Sequence, residues 1–270
     1  MSLPESAPAA IVPPAVTALS HPSHPDTRKG VLAALAAYLL WGFLPLLFKQ
    51  VEAAGSVLIV AERTIWSLVL LAVILSFSGG FGEVRALFAD RRRALGTLLS
   101  AMLLAANWLL YVWAVETGQV LEASFGYFIN PLVNVLMGMI LLGERQNRLQ
   151  TVSILIAVVA IAIQAVALGS VPFIALGLAL SFGFYGYFRK TAQLGPAPGL
   201  FAETAMMAPF ALAFVGYTLI ASGPGVHADP QLMMWLVLSG PATAIPLLLF
   251  AFAVRRLRLT TIGMFQYLAP

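Results

Sequence analysis

From Gly30 onward the chain alternates long apolar runs with short polar breaks. About 20 apolar residues, rising 1.5 Å each in a helix, cross a hydrocarbon core of ~30 Å. The pattern predicts membrane-spanning helices over 31–48, 57–77, 94–115, 120–142, 151–168, 172–188, 200–221 and 232–254, and a ninth opening near Leu259. The break between the fifth and sixth runs, Gly169-Ser170-Val171, is very tight.

The fourth run, LEASFGYFINPLVNVLMGMILLG, departs from a plain apolar helix. Glu122, Gly126, Asn130, Asn134 and Gly138 recur at every fourth position. Residues spaced by four stack on one helix face, so this helix carries a polar, small-residue stripe. Lipid cannot hydrogen-bond polar groups, so such a stripe turns toward a bundle interior or a wet cavity.

Composition narrows the class. Hydrophobic residues make up 60% of the chain and charged residues 10%, with a mean hydropathy of +0.92. A soluble domain has about 25% charged residues. The formal charge of +4 does not point to nucleic acid, because the basic residues are scattered in short clusters between apolar runs rather than gathered with aromatics. The absence of cysteine excludes a disulfide framework and a thiolate metal site. Residues 1–29, rich in proline and without a signal-peptide core, are expected to form a disordered cytoplasmic tail. His21 and His24 there read as tail residues rather than as a metal site, so no metal and no cofactor is expected.

Lys and Arg set the orientation. With the tail inside, thirteen of the fifteen fall on the inner side; Lys49 lies outside and Arg63 within a span. The N-terminus is therefore expected in the cytoplasm.

The chain also repeats itself. ALAAYLLWGFLPLLFK at 34–49 aligns without gaps to ALGLALSFGFYGYFRK at 175–190, and the same offset sets Glu62 over Glu203. With a small loop change, WAVETGQVLEASFGYFINP at 113–131 lies over FAVRRLRLTTIGMFQYLAP at 252–270. A unit of five spans is an odd number, so the second copy enters the membrane upside down, as an inverted-topology repeat. The expected organisation is the tail (1–29), a first five-helix repeat (30–169) and an incomplete second repeat (170–270). The fold class is an all-α polytopic membrane protein of two inverted five-helix repeats, a ten-helix plan truncated in the ninth helix.

NWLLYVWAV, LEASFGYFINPLVNVLMGMILLGER, GSVPFIALGLALSFGFYGYFRK and RLRLTTIGMFQYLAP carry a resemblance. The chain resembles the RarD family of EamA-type permeases, within the drug/metabolite transporter superfamily, over nearly everything from Gly30 to Pro270. That resemblance implies a bacterial inner-membrane transporter, ten helices in two inverted halves around a central substrate cavity. The chain departs from the family in its missing final helices and its long Pro/Ala-rich tail.

The polar inventory of the spans suits transport better than catalysis. The spans hold no HExxH helix, no paired aspartates and no serine with a histidine base. Substrate-binding candidates are Asn130 and Asn134 on the fourth span with Tyr127 beside them, and Gln266 and Tyr267 at the matching place in the second copy. Asn107, Trp108 and Tyr111 on the third span, Trp41 on the first and Tyr185 on the sixth complete the set. For each, the competing reading is helix–helix packing or an interfacial aromatic belt. Glu122, in the first turn of its helix, reads more readily as a capping group.

Glu62 and Arg63 stand apart. A charge at mid-bilayer costs about 2.5–3.5 kcal/mol on insertion scales, so two in one span call for partners. They are adjacent and point in different directions, so they are not each other's partner. Glu62, Arg63, Glu122 and Glu203 are candidates for proton- or charge-linked steps, set against structural pairing or snorkelling to the interface. The function read from the sequence is a permease or exporter of small organic metabolites or drugs, working by alternating access. The alternative is a non-transporting membrane sensor or assembly protein, for which a long extramembrane loop or output domain is expected, whereas the longest internal break, 78–93, is short; for an intramembrane enzyme the spans lack catalytic groups. The expected partners are the lipid bilayer and a small-molecule solute, a homodimer is compatible with this reading, and nucleic acid is not expected.

Overall fold

The computed structural model describes residues 24–168 and 172–268, and the regular elements within them are all helices. Ten α-helices follow one another: α1 (His24–Gln50), α2 (Ser56–Ser78), α3 (Phe81–Ala89), α4 (Arg91–Glu116), α5 (Val120–Leu142), α6 (Arg148–Leu168), α7 (Phe173–Thr191), α8 (Pro196–Ser222), α9 (Pro230–Val254) and α10 (Leu259–Gln266). By length and composition, seven of them can cross a membrane: α1, α2, α4, α5, α6, α8 and α9. The α7 helix is not in that set. It carries glycines, Ser181, two tyrosines, Arg189 and Lys190 along 19 residues, and it lies buried among its neighbours instead.

Two sequence expectations shift. The tail ends earlier than 29, because α1 already begins at His24, with Asp26 in its first turn where a carboxylate suits the helix dipole. Residues 1–23, with His21, lie outside the described residues, as do the 169–171 connection and 269–270. The break at 78–93 contains a helix of its own, α3, which buries Val84 and Leu87. Leu87 packs with Leu194 and Ala202, and Glu83 accepts a hydrogen bond from the N–H of Gly195 at 3.0 Å. Nine residues are too few to stand out as a span, so a hydropathy pattern passes over such a helix.

Local signals explain the boundaries. Glycines in the left-handed region end α2 and α5, at Gly79 (φ 73°) and Gly143 (φ 64°). Asp90 caps α4 through the N–H groups of Arg92 and Arg93, and Asp229 caps α9 through those of Gln231 and Leu232.

The helices pack as crossed pairs. The α1 helix lies on α9, and α2 lies on both α8 and α9. The α4 helix lies on α7 and, less extensively, on α8, while α5 lies on α7 and α10. The main core joins Tyr38, Leu71, Tyr185, Leu247, Phe250 and Ile262. At the α2–α9 crossing a Cβ on Gly240 would come within 2.7 Å of the Ser67 backbone nitrogen, and the Ser67 hydroxyl donates to the Gly240 carbonyl at 3.0 Å. Many large apolar residues face outward: Phe77 and Ile220 are each 88% exposed and Val166 82%. An exterior of this kind is satisfied by lipid, which makes the chain a multi-pass membrane protein.

Candidate functional site

A cavity of about 370 Å³ opens between α2, α4, α8 and α9. Its wall is mostly apolar, with Leu104, Met207, Phe214 and Leu247 contributing, and its polar points include Arg63, Glu203 and Thr243. A second cavity of about 320 Å³ lies against the ends of α1 and α2 and is lined by Lys49, Glu52 and Tyr111. Arg63 and Trp108 line both. The Arg63 guanidinium stacks over the Trp108 indole, 3.3 Å from the ring centroid, so this pair forms the partition between the two spaces.

The adjacent charges Glu62 and Arg63 indeed point apart. Glu62 is buried and receives two groups: Trp66 Nε1–H at 3.0 Å and His227 Nε2 at 2.7 Å. His227 sits in the short 3-10 turn Gly225–Ala228 before α9, so a loop reaches back to hold a span carboxylate. Glu203 is paired as well. Ser100 Oγ donates to it at 2.7 Å, the Tyr185 hydroxyl at 3.5 Å, and Arg189 Nη1 stands 3.6 Å away with both side chains buried. Arg189 also donates to the Pro196 carbonyl at 3.0 Å.

The polar stripe of α5 faces α7 and α10, and those helices fill the space that the sequence suggests as a cavity. Asn134, fully buried, donates from Nδ2 to Gln266 Oε1 at 2.9 Å, so these two candidates tie α5 to α10. A Cβ on Gly263 would lie 2.6 Å from the Pro131 carbonyl oxygen, which measures how closely the two helices approach. Asn130 is buried beside them, its Oδ1 without a hydrogen-bond partner among the described residues. Tyr267 follows at the end of α10, its hydroxyl likewise unpartnered. Glu122 is a cap, but of another helix: it accepts the N–H of Ile174 at 2.9 Å, at the start of α7. Glu144, just past α5, does the same for α10 through the N–H groups of Leu259 and Thr260.

The remaining candidates divide. Asn107 ties α4 to α7, donating to the Leu178 carbonyl and to Ser181 Oγ, both at 2.9 Å. Trp41 and Tyr185 belong to an aromatic cluster with Tyr38, Phe182 and Phe250. Tyr111 and Tyr127 meet ring to ring at 5.9 Å, and Tyr111 lines the second cavity. Of the predicted residues, Arg63, Trp108 and Glu203 line the α2–α4–α8–α9 cavity, Asn134 and Gln266 sit in the packed α5–α10 contact, and the others hold helices together, cap them or join the aromatic cluster and the second cavity. Ser100, Arg189, His227 and Thr243 were not signalled. Each becomes notable only once the fold places it beside a buried charge or a cavity.

Residues 28–165 match the model of the EamA-like transporter family. An "Uncharacterized transporter" of Vibrio cholerae is 41% identical over 254 residues, covering 92% of this chain and 83% of its own. "Protein RarD" of Salmonella typhimurium is 43% identical, covering 91% and 84%, and that of Escherichia coli 40%, covering 91% and 83%. One crystal structure superposes with a TM-score of 0.68 over 90% of this chain and 85% of its own; at 19% identity it supports the fold alone.

Proposed function

Because the chain belongs to the EamA-like transporter family and to its RarD group, we propose that it carries small organic solutes across a bacterial inner membrane by alternating access between two inverted halves. The observation that carries this reading is the cavity. Two of its walls, α2 and α4, come from the first half and two, α8 and α9, from the second, the arrangement that a rocking motion between repeats requires.

The helix pairing supports the inverted repeat. The sequence alignment exchanges α1 with α7, α2 with α8, α4 with α9 and α5 with α10. Under that exchange the α1–α9 contact becomes α7–α4, and α2–α9 becomes α8–α4; both partners occur. The α2–α8 and α5–α10 contacts map onto themselves. A cytoplasmic N-terminus is supported by the thirteen basic residues that gather on one side of the alternating spans. The Glu62–His227 and Glu203–Arg189 pairs, which hold repeat-equivalent carboxylates, are the charge-linked elements of the cycle.

The test is flux. Purified protein in sealed vesicles is screened against neutral, acidic and basic organic solutes, with empty vesicles as reference. Protein-dependent flux of at least one class is expected. A folded, monodisperse preparation that moves none of them would favour the sensor or assembly role.

A further inference from the structure

We infer that Arg63 anchors an anionic group of the solute, so that the cavity between α2, α4, α8 and α9 takes organic monoanions with an apolar body. This rests on the transport reading and adds the substrate class to it.

Four charged residues are buried among the described residues: Glu62, Arg63, Arg189 and Glu203. Three of them are neutralised or hydrogen-bonded. Glu62 has His227 and Trp66, while Glu203 and Arg189 have each other, together with Ser100, Tyr185 and the Pro196 carbonyl. Arg63, 4% exposed, has no hydrogen bond and no carboxylate within 4.0 Å among the described residues. A guanidinium keeps its charge in proteins, and a buried charge without a counterion is costly. Trp108 covers one face of its plane, and the N–H edge has no hydrogen-bond partner among the described residues. That edge is the fork that matches a carboxylate through two parallel hydrogen bonds.

A second unpartnered polar group lies in the same wall. Thr243, on α9, lines the α2–α4–α8–α9 cavity, its hydroxyl buried and without a hydrogen-bond partner among the described residues. The other hydroxyls on that wall, Thr64, Ser67 and Thr204, are already committed to backbone carbonyls. The wall's carboxylate, Glu203, is held by Arg189, so Arg63 sets the sign of the site. The apolar surface of Leu104, Met207, Phe214 and Leu247 suits the solute's body. On the far side of the partition Lys49 and Glu52, of opposite charge, both line the second cavity, so that space has no net sign from this pair.

The test uses ω-phenylalkanoates from phenylacetate to 6-phenylhexanoate, each beside its primary amide and amine, with protein in phosphatidylcholine vesicles. Binding is read by thermal stabilisation and by competition. At one or more chain lengths the acid should bind about 10- to 100-fold tighter than its amide, as expected for a charged hydrogen-bonded pair. Arg63→Gln should erase that difference, and Arg63→Lys should keep part of it. Because the comparison of acid with amide uses the unaltered protein, it stands even if Arg63→Gln fails to fold. Equal binding of acid and amide at every length, preference for the amine, or an acid preference surviving Arg63→Gln would each overturn the assignment. A lipid head group is the other source of an anion. If phosphatidylglycerol in the vesicles blocks the acid with the same dependence on Arg63, the occupant is lipid and the solute assignment fails. Flux of solutes without acid preference would remove the anion site but leave the transporter; acid binding that depends on Arg63 without any flux would do the reverse.

Discussion

Removing Arg189 should show how much the buried ion pair on α7 and α8 matters. Arg189→Met keeps much of the side-chain volume and leaves Glu203 buried without its cation. Stripping one partner from a buried pair costs about 3–5 kcal/mol. Here Ser100 still donates to the carboxylate at 2.7 Å, so the lower end, about 3 kcal/mol, is expected. Glu203→Gln should cost a similar amount, because Arg189 keeps only the Pro196 carbonyl. The double variant removes both charges, and its cost should fall below the sum of the two by at least ~2 kcal/mol, since residues in contact are not additive. For a chain of this size, each single variant corresponds to a drop in Tm of roughly 6–12 °C in detergent, read by intrinsic fluorescence. A coupling below ~0.5 kcal/mol would refute the reasoning, because it would mean that the two side chains act independently.

Three further outcomes follow from the geometry. Gly240→Ala drives a methyl group into the α2 backbone and should cost about 1–3 kcal/mol by overpacking, whereas Gly216→Ala, with open space around its Cβ in α8, should stabilise by up to ~1 kcal/mol; thermal unfolding of the pair checks both. His227→Ala leaves the Glu62 carboxylate with Trp66 as its single polar partner and should cost about 1–3 kcal/mol, again read by thermal unfolding, with an unchanged Tm contradicting the contact. An Asn134→Ala/Gln266→Ala cycle should give a coupling of about 0.6 kcal/mol, the usual size for an interhelical hydrogen bond in a membrane, and leave the affinity for transported solute unchanged.

The spans were legible because bilayer thickness imposes one length on every apolar run. The exceptions have physical reasons. Nine residues of α3 lie below that length, and α7 trades apolar surface for contacts inside the bundle. Glu62, Arg63 and Glu203 stood out as charges in apolar runs, and all three proved to be buried. Their partners did not stand out. His227 reaches Glu62 from a loop far along the chain, and Ser100 reaches Glu203 from another helix. The stripe on α5 was ambiguous for a definite reason: small and polar residues at every fourth position serve a close helix contact and a water-filled path equally well. Only the positions of α7 and α10 distinguish the two, and they favour the contact.

The two carboxylates that bracket α5 bear on how the chain is built during synthesis. Glu122 and Glu144 terminate helices that are translated later, α7 and α10. When α5 enters the bilayer, neither of those N-termini exists, and both acids are still waiting for the amides they will hold. Neither of these contacts at the two ends of α5 can form until the second half has been made. The final seating of α5 is a late event, completed from across the molecule by the half that follows.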